Sequence, residues 1–317
     1  VAPDANTNDI QLQYNGVKPV LDNDNLSIDI GFNTIIEQKP IAYQIIEGER
    51  IEIECQFELS NDIISFIFPN GYNKDYELII DPTLVAATLS GSSATNYGHT
   101  ATYGIGSEIF TGARNFGQGY PATLGAFQVN FGGSVDIAIS KLNPDGSSLL
   151  WATYIGGSDV DLPHSMIVNN ANELYVYSST YSSDYPTSSN ASQLTNSGLS
   201  DIIVTHLTQD GSNIIGSTYI GGSSDDGINY IGTNYGDEYR GEIIVDNSGN
   251  AYIASFSSSS NFPGTSGSYQ PNNAGGQDGV VCKLNPTLST LEWATYLGSS
   301  GTDAAYGLRL DYNNNVY

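Results

Sequence analysis

Between Ser165 and Ile220 the apolar positions gather into four short runs: Ser165 to Val168, Glu173 to Ser179, Asp201 to Thr208 and Asn213 to Ile220. They are rich in Ile, Val, Tyr and Thr, and no helical period connects them, so the segment predicts four strands. The connections are uneven. NNAN (Asn169 to Asn172), NSGN (Asn247 to Asn250) and NPDG (Asn143 to Gly146) are hairpin-sized, whereas Ser179 to Ser200 is a long Ser-, Tyr- and Asn-rich excursion between the second and third strands. The fourth run and its glycine hinge recur: LLWATYIGGS (Leu149 to Ser158), IIGSTYIGGS (Ile214 to Ser223), LEWATYLGSS (Leu291 to Ser300) and, more faintly, LVAATLSGSS (Leu84 to Ser93).

Other anchors keep step with that run. Thr88, Thr153, Thr218 and Thr295 are spaced 65, 65 and 77; Tyr120-Pro121, Tyr185-Pro186 and Phe262-Pro263, and likewise Asp136, Asp201 and Asp278, are spaced 65 and 77. Anchors moving together define a structural repeat. Four antiparallel strands per copy predict an all-β fold, with residues 82–317 forming a partial β-propeller of four-stranded antiparallel blades, about three and a half repeats of about 65 residues. A β-solenoid competes less well, because its rungs are much shorter. Residues 1–81 do not repeat. DIQLQY (Asp9 to Tyr14), LSIDIGF (Leu26 to Phe32), RIEIECQFEL (Arg50 to Leu59) and YELIID (Tyr76 to Asp81) alternate like the strands of an N-terminal β-sandwich-like domain, with a boundary at Asp81-Pro82. Tyr317 falls where Tyr175 and Tyr252 fall, inside a second strand, so further copies are expected to follow in the natural polypeptide.

The pattern W-A-T-Y-x-G-G-S, an Asp, VDNSGNAY at Val245 to Tyr252, NFP at Asn261 to Pro263 and KLNP at Lys283 to Pro286 resembles the SBBP-type β-propeller repeat over residues 82–317. The first copy departs from it: it lacks the Trp, carries Asn96 where the others have Asp161, Asp226 and Asp303, and reads IGSEIF at Ile105 to Phe110. KPIAYQ (Lys39 to Gln44) and LIIDPTL (Leu78 to Leu84) resemble the uncharacterised domain that precedes such propellers in large secreted bacterial proteins. The resemblance implies an extracellular or cell-surface location on a Gram-negative, Bacteroidetes-like bacterium, and a binding, adhesion or display role.

Charge narrows the partners. Nine Lys and Arg face 34 Asp and Glu, a net charge of −25, which repels nucleic acid and anionic membranes. No apolar run approaches the roughly 18 residues of a membrane span, so membrane insertion is not expected. VAPDANTND has no signal-peptide pattern, which suggests a mature product or an excised piece. Cys55 and Cys282, two cysteines far apart and in different predicted domains, make no disulfide framework or Cys/His metal site and read as buried small side chains.

A residue copied into every repeat serves folding, whereas an uncopied one is free to serve a ligand. Trp151 and Trp293 therefore read as packing between blades. Asp161, Asp226 and Asp303 follow the hinge, and Asp136, Asp201 and Asp278 open third strands; both sets suit capping of backbone N–H groups. Calcium at Asp161, Asp226 and Asp303 stands beside that reading, and no other cofactor is implied. Asp22 to Asn25 echoes a calcium loop only faintly and reads as a hairpin tip. His99, His164 and His206 are taken to occupy unrelated repeat positions on turns or strand surfaces, and no G-x-S-x-G accompanies them.

The chain is accordingly not expected to be an enzyme. A polysaccharide hydrolase or lyase using paired carboxylates and a purely structural spacer are the alternatives. The spacing of 77 arises from about twelve extra residues in GINYIGTNYGDEYR (Gly227 to Arg240). Tyr230, Asn234, Tyr235, Asp237, Glu238, Tyr239 and Arg240 offer aromatic faces, amides and charges suited to an extracellular glycan, a protein surface or another part of the same cell-surface assembly. The plain alternative is an insertion tolerated in a surface loop. Either way it belongs to the long-loop face, where binding usually sits.

Overall fold

The computed structural model describes all residues except 15–16, 30–33, 82–89 and 230–237. Two compact all-β units divide the chain, Val1–Val85 and Ala86–Tyr317. Among the described residues no helix is long and apolar enough to cross a membrane.

The N-terminal unit contains β1 (Leu12–Gln13), β2 (Pro19–Asp22), β3 (Asn25–Asp29), β4 (Thr34–Glu37), β5 (Ile41–Ile46), β6 (Glu49–Ile53), β7 (Gln56–Ser60), β8 (Ile63–Ile67) and β9 (Ile79–Asp81). They form three small antiparallel sheets, β1-β8-β7, β2-β3-β4 and β6-β5-β9. The run RIEIECQFEL is thus not one strand. It breaks at Glu54-Cys55, where Cys55 turns into a core with Ala42 and Leu78, and its two halves join different sheets. The Asp22 to Asn25 segment is a two-residue hairpin tip, with Asn23 and Asp24 both at positive φ. Leu26, Phe57 and Ile64 form a second core where the β2-β3-β4 and β1-β8-β7 sheets meet.

The C-terminal unit contains three four-stranded antiparallel sheets with strands in chain order. The first is β10 (Asn96–Tyr103), β11 (Ile109–Asn115), β12 (Asp136–Leu142) and β13 (Leu149–Ile155); the second is β14 (Asp161–Val168), β15 (Leu174–Thr180), β16 (Asp201–Leu207) and β17 (Ile214–Ile220). The third is β18 (Glu242–Val245), β19 (Ala251–Ser257), β20 (Asp278–Leu284) and β21 (Leu291–Leu297). The opening strand of the second sheet starts four residues earlier than the apolar run suggests, because Asp161 and Leu162 pair with Thr180 and Ser179.

Each sheet packs face to face on the next, so the middle sheet is buried on both sides and its strands lose clean alternation. On β15, Leu174 and Val176 meet Phe110, Ile139 and Trp151 of the first sheet. Tyr175 and Tyr177 point the other way, toward Ile253, Cys282 and Tyr296 of the third. Cys55 and Cys282 are both buried and free. Trp151 tucks beneath the β16–β17 turn and donates its indole N–H to the Gln209 carbonyl at 3.0 Å. In the second copy Gly216 stands where Trp151 stands in the first, because Thr287 and Leu288 of the third sheet fill that space. Gly211, at the turn above Trp151, has φ of +67°, and a Cβ there would lie 2.7 Å from the indole ring. Gly211→Ala is therefore expected to cost about 1–3 kcal/mol from left-handed strain and overlap, read as a lower midpoint in chemical denaturation. An unchanged midpoint would count against this packing.

Candidate functional site

The repeated polar residues form one hydrogen-bonded clamp, built three times. In the first copy Gln128 Nε2 donates to Asp136 Oδ2 at 3.2 Å, while Gln128 Oε1 accepts the Gly156 N–H at 3.1 Å. The backbone N–H of Gln128 donates to Thr153 Oγ1 at 3.0 Å. Gln193 repeats this with Asp201, Gly221 and Thr218 at 2.9, 3.2 and 2.9 Å. Gln270 repeats it with Asp278, Gly298 and Thr295 at 3.2, 3.1 and 2.9 Å. The clamp pins the long second-to-third connection to the fourth strand and its hinge. The spacing of Gln128, Gln193 and Gln270, 65 and 77, carries the same signal as the aspartates, in a residue type that is neither acidic nor aromatic.

Asp161 and Asp226 lock one sheet to the next. Asp161 is fully buried and accepts from Gly157 N–H at 2.8 Å, Ser182 Oγ at 3.0 Å and the Thr180 hydroxyl. Asp226, equally buried, accepts from Gly222 N–H at 2.7 Å and Ser259 Oγ at 2.8 Å. Asp303 differs: it is half-buried and accepts only from Ser299, at N and Oγ. Burial drives the carboxyls of Asp161 and Asp226 up to about 7 against these hydrogen bonds, and that of Asp201 up to about 6. Calcium wants six to eight oxygen ligands, whereas each of these carboxylates faces a hinge N–H and one or two hydroxyls that donate to it. Among the described residues no three His, Cys, Asp or Glu converge on one point. Asp161, Asp226 and Asp303 sit at three separate hinges, and this donor set does not fit calcium.

The insertion is different in kind. Tyr230, Asn234, Tyr235 and Asp237 lie outside the described residues. The described end of the segment, Glu238 to Arg240, closes back on its stem, with Asn229 N–H donating to the Glu238 carbonyl at 3.0 Å. Asn229 is fixed in turn by Tyr306 and Gln277. Tyr239 packs against the cluster of Val135, Leu162 and Ile228, on the end of the sheets that carries the long connections. Its ring lies 6.5 Å from that of His99 and 6.2 Å from that of His164, under the Arg114 guanidinium at 3.9 Å. His99 Nδ1 faces Arg114 at 3.3 Å and so must accept; Nε2 therefore carries the proton and donates to the Tyr239 carbonyl at 3.2 Å. Arg240 is exposed.

The histidines correct the sequence reading. His99 and His164 are 65 residues apart, the repeat spacing itself, and each is the extra residue of a bulge in the opening strand of its sheet. His164 and His206 are buried rather than on a surface. Burial, with His99 and Arg114 adding to it, holds His164 down to about 3, and burial likewise lowers His206. His99, more exposed as a residue, is lowered by desolvation of its ring and by the Arg114 guanidinium that faces it. Arg114 was not foreseeable, since nothing in the pattern of β11 sets it apart.

In class, the chain is an all-β protein of two compact units, the second containing repeated four-stranded antiparallel sheets. Residues 1–83 match the family described as "Domain of unknown function (DUF7948)", in keeping with the uncharacterised domain expected there. No curated protein matches the chain.

Proposed function

We propose that the C-terminal unit is a run of SBBP-type β-propeller blades, and that the chain is a non-catalytic binding, adhesion or display module outside a Gram-negative bacterial cell. The ligand is a glycan or a protein surface, taken at the end of the sheets that carries the long connections. The observation behind this reading is the division of labour among side chains. The repeated Gln, Thr and Asp residues are occupied with one another, with neighbouring hydroxyls and with backbone groups, whereas the uncopied insertion brings Tyr239 and Arg240 to the bulged opening strands beside His99 and Arg114. A rigid scaffold that displays one unrepeated aromatic and charged loop is a common basis of recognition. The propeller reading draws support from the first sheet, where Thr111, Ala113, Tyr120 and Ser140 line an open cleft of about 790 Å³. Thr111 is half-buried there, whereas Val176 and Ile253, which hold its place in the second and third sheets, are fully buried against the sheet before them.

Arrays of bacterial and host glycans, together with a panel of cell-surface proteins, test the proposal. Saturable binding is expected, weakened about tenfold or more by Tyr239→Ala or Tyr235→Ala, the loss of one well-placed aromatic contact. Asp145→Ala, in a hairpin turn between third and fourth strands, should leave binding unchanged. Binding indifferent to both tyrosines would remove the loop from the site, and turnover of a polysaccharide would favour the hydrolase or lyase alternative.

A further inference from the structure

Where the first and second sheets of the C-terminal unit meet, one carboxylate touches an amine and an amide together. Glu108, in the turn before β11, places Oε1 3.3 Å from Lys141 Nζ on β12. The same oxygen accepts a 2.8 Å hydrogen bond from Asn172 Nδ2 in the β14–β15 turn. Glu108 Oε2 is held by the Gly106 N–H at 2.9 Å, and Asn172 Oδ1 accepts the Ile105 N–H at 3.1 Å. Two of the three are buried and the third partly so: the Lys141 side chain is 5 % exposed, Asn172 7 % and the Glu108 side chain 17 %. Phe110, its ring centroid 5.0 Å from Nζ, walls one side, with Trp151 edge-on behind it.

The set occurs once. At the equivalent positions the second copy has Glu173 with His206, and the third has Lys283 with Asn250. Only the first junction therefore combines a buried lysine, a shared carboxylate and a facing asparagine. A simple ion pair would need no asparagine amide bound to the same oxygen, nor a backbone donor on the amide's own carbonyl.

We propose that Lys141 and Asn172 join in an intramolecular isopeptide bond that ties the first sheet to the second, with Glu108 as the proton relay. Burial alone would raise the Glu108 carboxyl, but its hydrogen bonds and Lys141 hold it below the ordinary range, so the resting state is an ion pair. The reaction opens with one proton passing from Nζ to Oε1. The freed lone pair attacks Asn172 Cγ, forming the Nζ–Cγ bond and moving the carbonyl pair onto Oδ1, where the Ile105 N–H stabilises it. Glu108 gives its proton to Nδ2. The carbonyl reforms, the Cγ–Nδ2 bond breaks and ammonia departs. A second proton leaves Nζ through Glu108 to the ammonia, so the products are a secondary amide, ammonium and a carboxylate ionised as at the start. No oxidant, metal or co-substrate is consumed.

Intact-mass spectrometry of the whole chain decides the matter. The wild-type protein should weigh less than its sequence by the mass of one ammonia, and a chymotryptic digest should yield a branched peptide joining Lys141 to Asn172. Lys141→Arg keeps the charge and the pairing but removes the nucleophile; Glu108→Gln removes the relay. Both should return to full mass as folded proteins with unlinked peptides. A wild-type chain at full mass after prolonged incubation at neutral pH overturns the proposal. So does an ammonia loss that maps to a succinimide at any asparagine without a branch.

Discussion

Asp161→Ala should lower the melting temperature of the C-terminal unit by roughly 10 °C, whereas Asp303→Ala should lower it by about 2 °C or less. The two aspartates hold the same place in their copies, so the contrast isolates burial. Asp161 is fully buried, and its loss strands the Gly157 N–H and the hydroxyls of Thr180 and Ser182. Each buried donor left unpaired costs about 1–3 kcal/mol, the hydroxyls less because they can rotate toward other acceptors. A total near 3 kcal/mol follows, and a domain of this size loses about 2–4 °C per kcal/mol. Asp303 is half-buried and accepts only from Ser299, whose N–H and hydroxyl can turn to water. Differential scanning calorimetry on the two variants makes the comparison. Equal losses would mean that the repeated aspartate acts through something other than buried hydrogen bonds.

That contrast also shows why the sequence is informative about scaffold and poor about site. Every element of the clamp is copied, so its residues stand out by spacing alone: Thr153, Thr218 and Thr295 announce the fourth strands, and Asp136, Asp201 and Asp278 the third. The four-stranded sheets follow from period and turn chemistry. The N-terminal unit is less legible because its strands are short and nothing in Arg50 to Leu59 marks the change of sheet. What marks it in three dimensions is Cys55, which packs against Ala42 and Leu78, and that long-range contact has no local signature. His99 and His164 carry the right spacing, but a bulge removes them from the two-residue alternation of a regular strand and makes them look unrelated. The Lys141, Glu108 and Asn172 group depends on three turns and strands meeting across a sheet boundary, which no linear pattern encodes.

Raising the pH from 6 to 8 should destabilise the C-terminal unit, contrary to the usual behaviour of an acidic protein whose carboxylates are salt-bridged. Asp161 and Asp226 have carboxyls pushed up to about 7 by burial, against about 3.9 in an unfolded chain. A group whose folded value is raised stabilises most below its unfolded value and loses that contribution as the pH climbs through the folded one. Asp201, at about 6, has surrendered most of its share by pH 7. Across pH 6 to 8 the loss is therefore carried by Asp161 and Asp226, each on the order of 1 kcal/mol, which together correspond to about 5 °C. The buried histidines act with the opposite sign. His164 is held down to about 3 by burial, with His99 and Arg114 adding to it, so its contribution is present above pH 6.5 and falls away as the pH drops toward 3. The histidines thus weaken the unit as the pH falls below 6.5, whereas the aspartates weaken it as the pH climbs from about 4 to 7, so the two oppose each other below pH 6.5 and the aspartates act alone above it. Asp161→Asn removes one of the two titrations and should flatten the decline between pH 6 and 8 by about half while lowering stability throughout. A melting temperature that rises from pH 6 to pH 8 in the wild-type protein would show that these carboxylates are ionised in the folded state with ordinary affinity for protons.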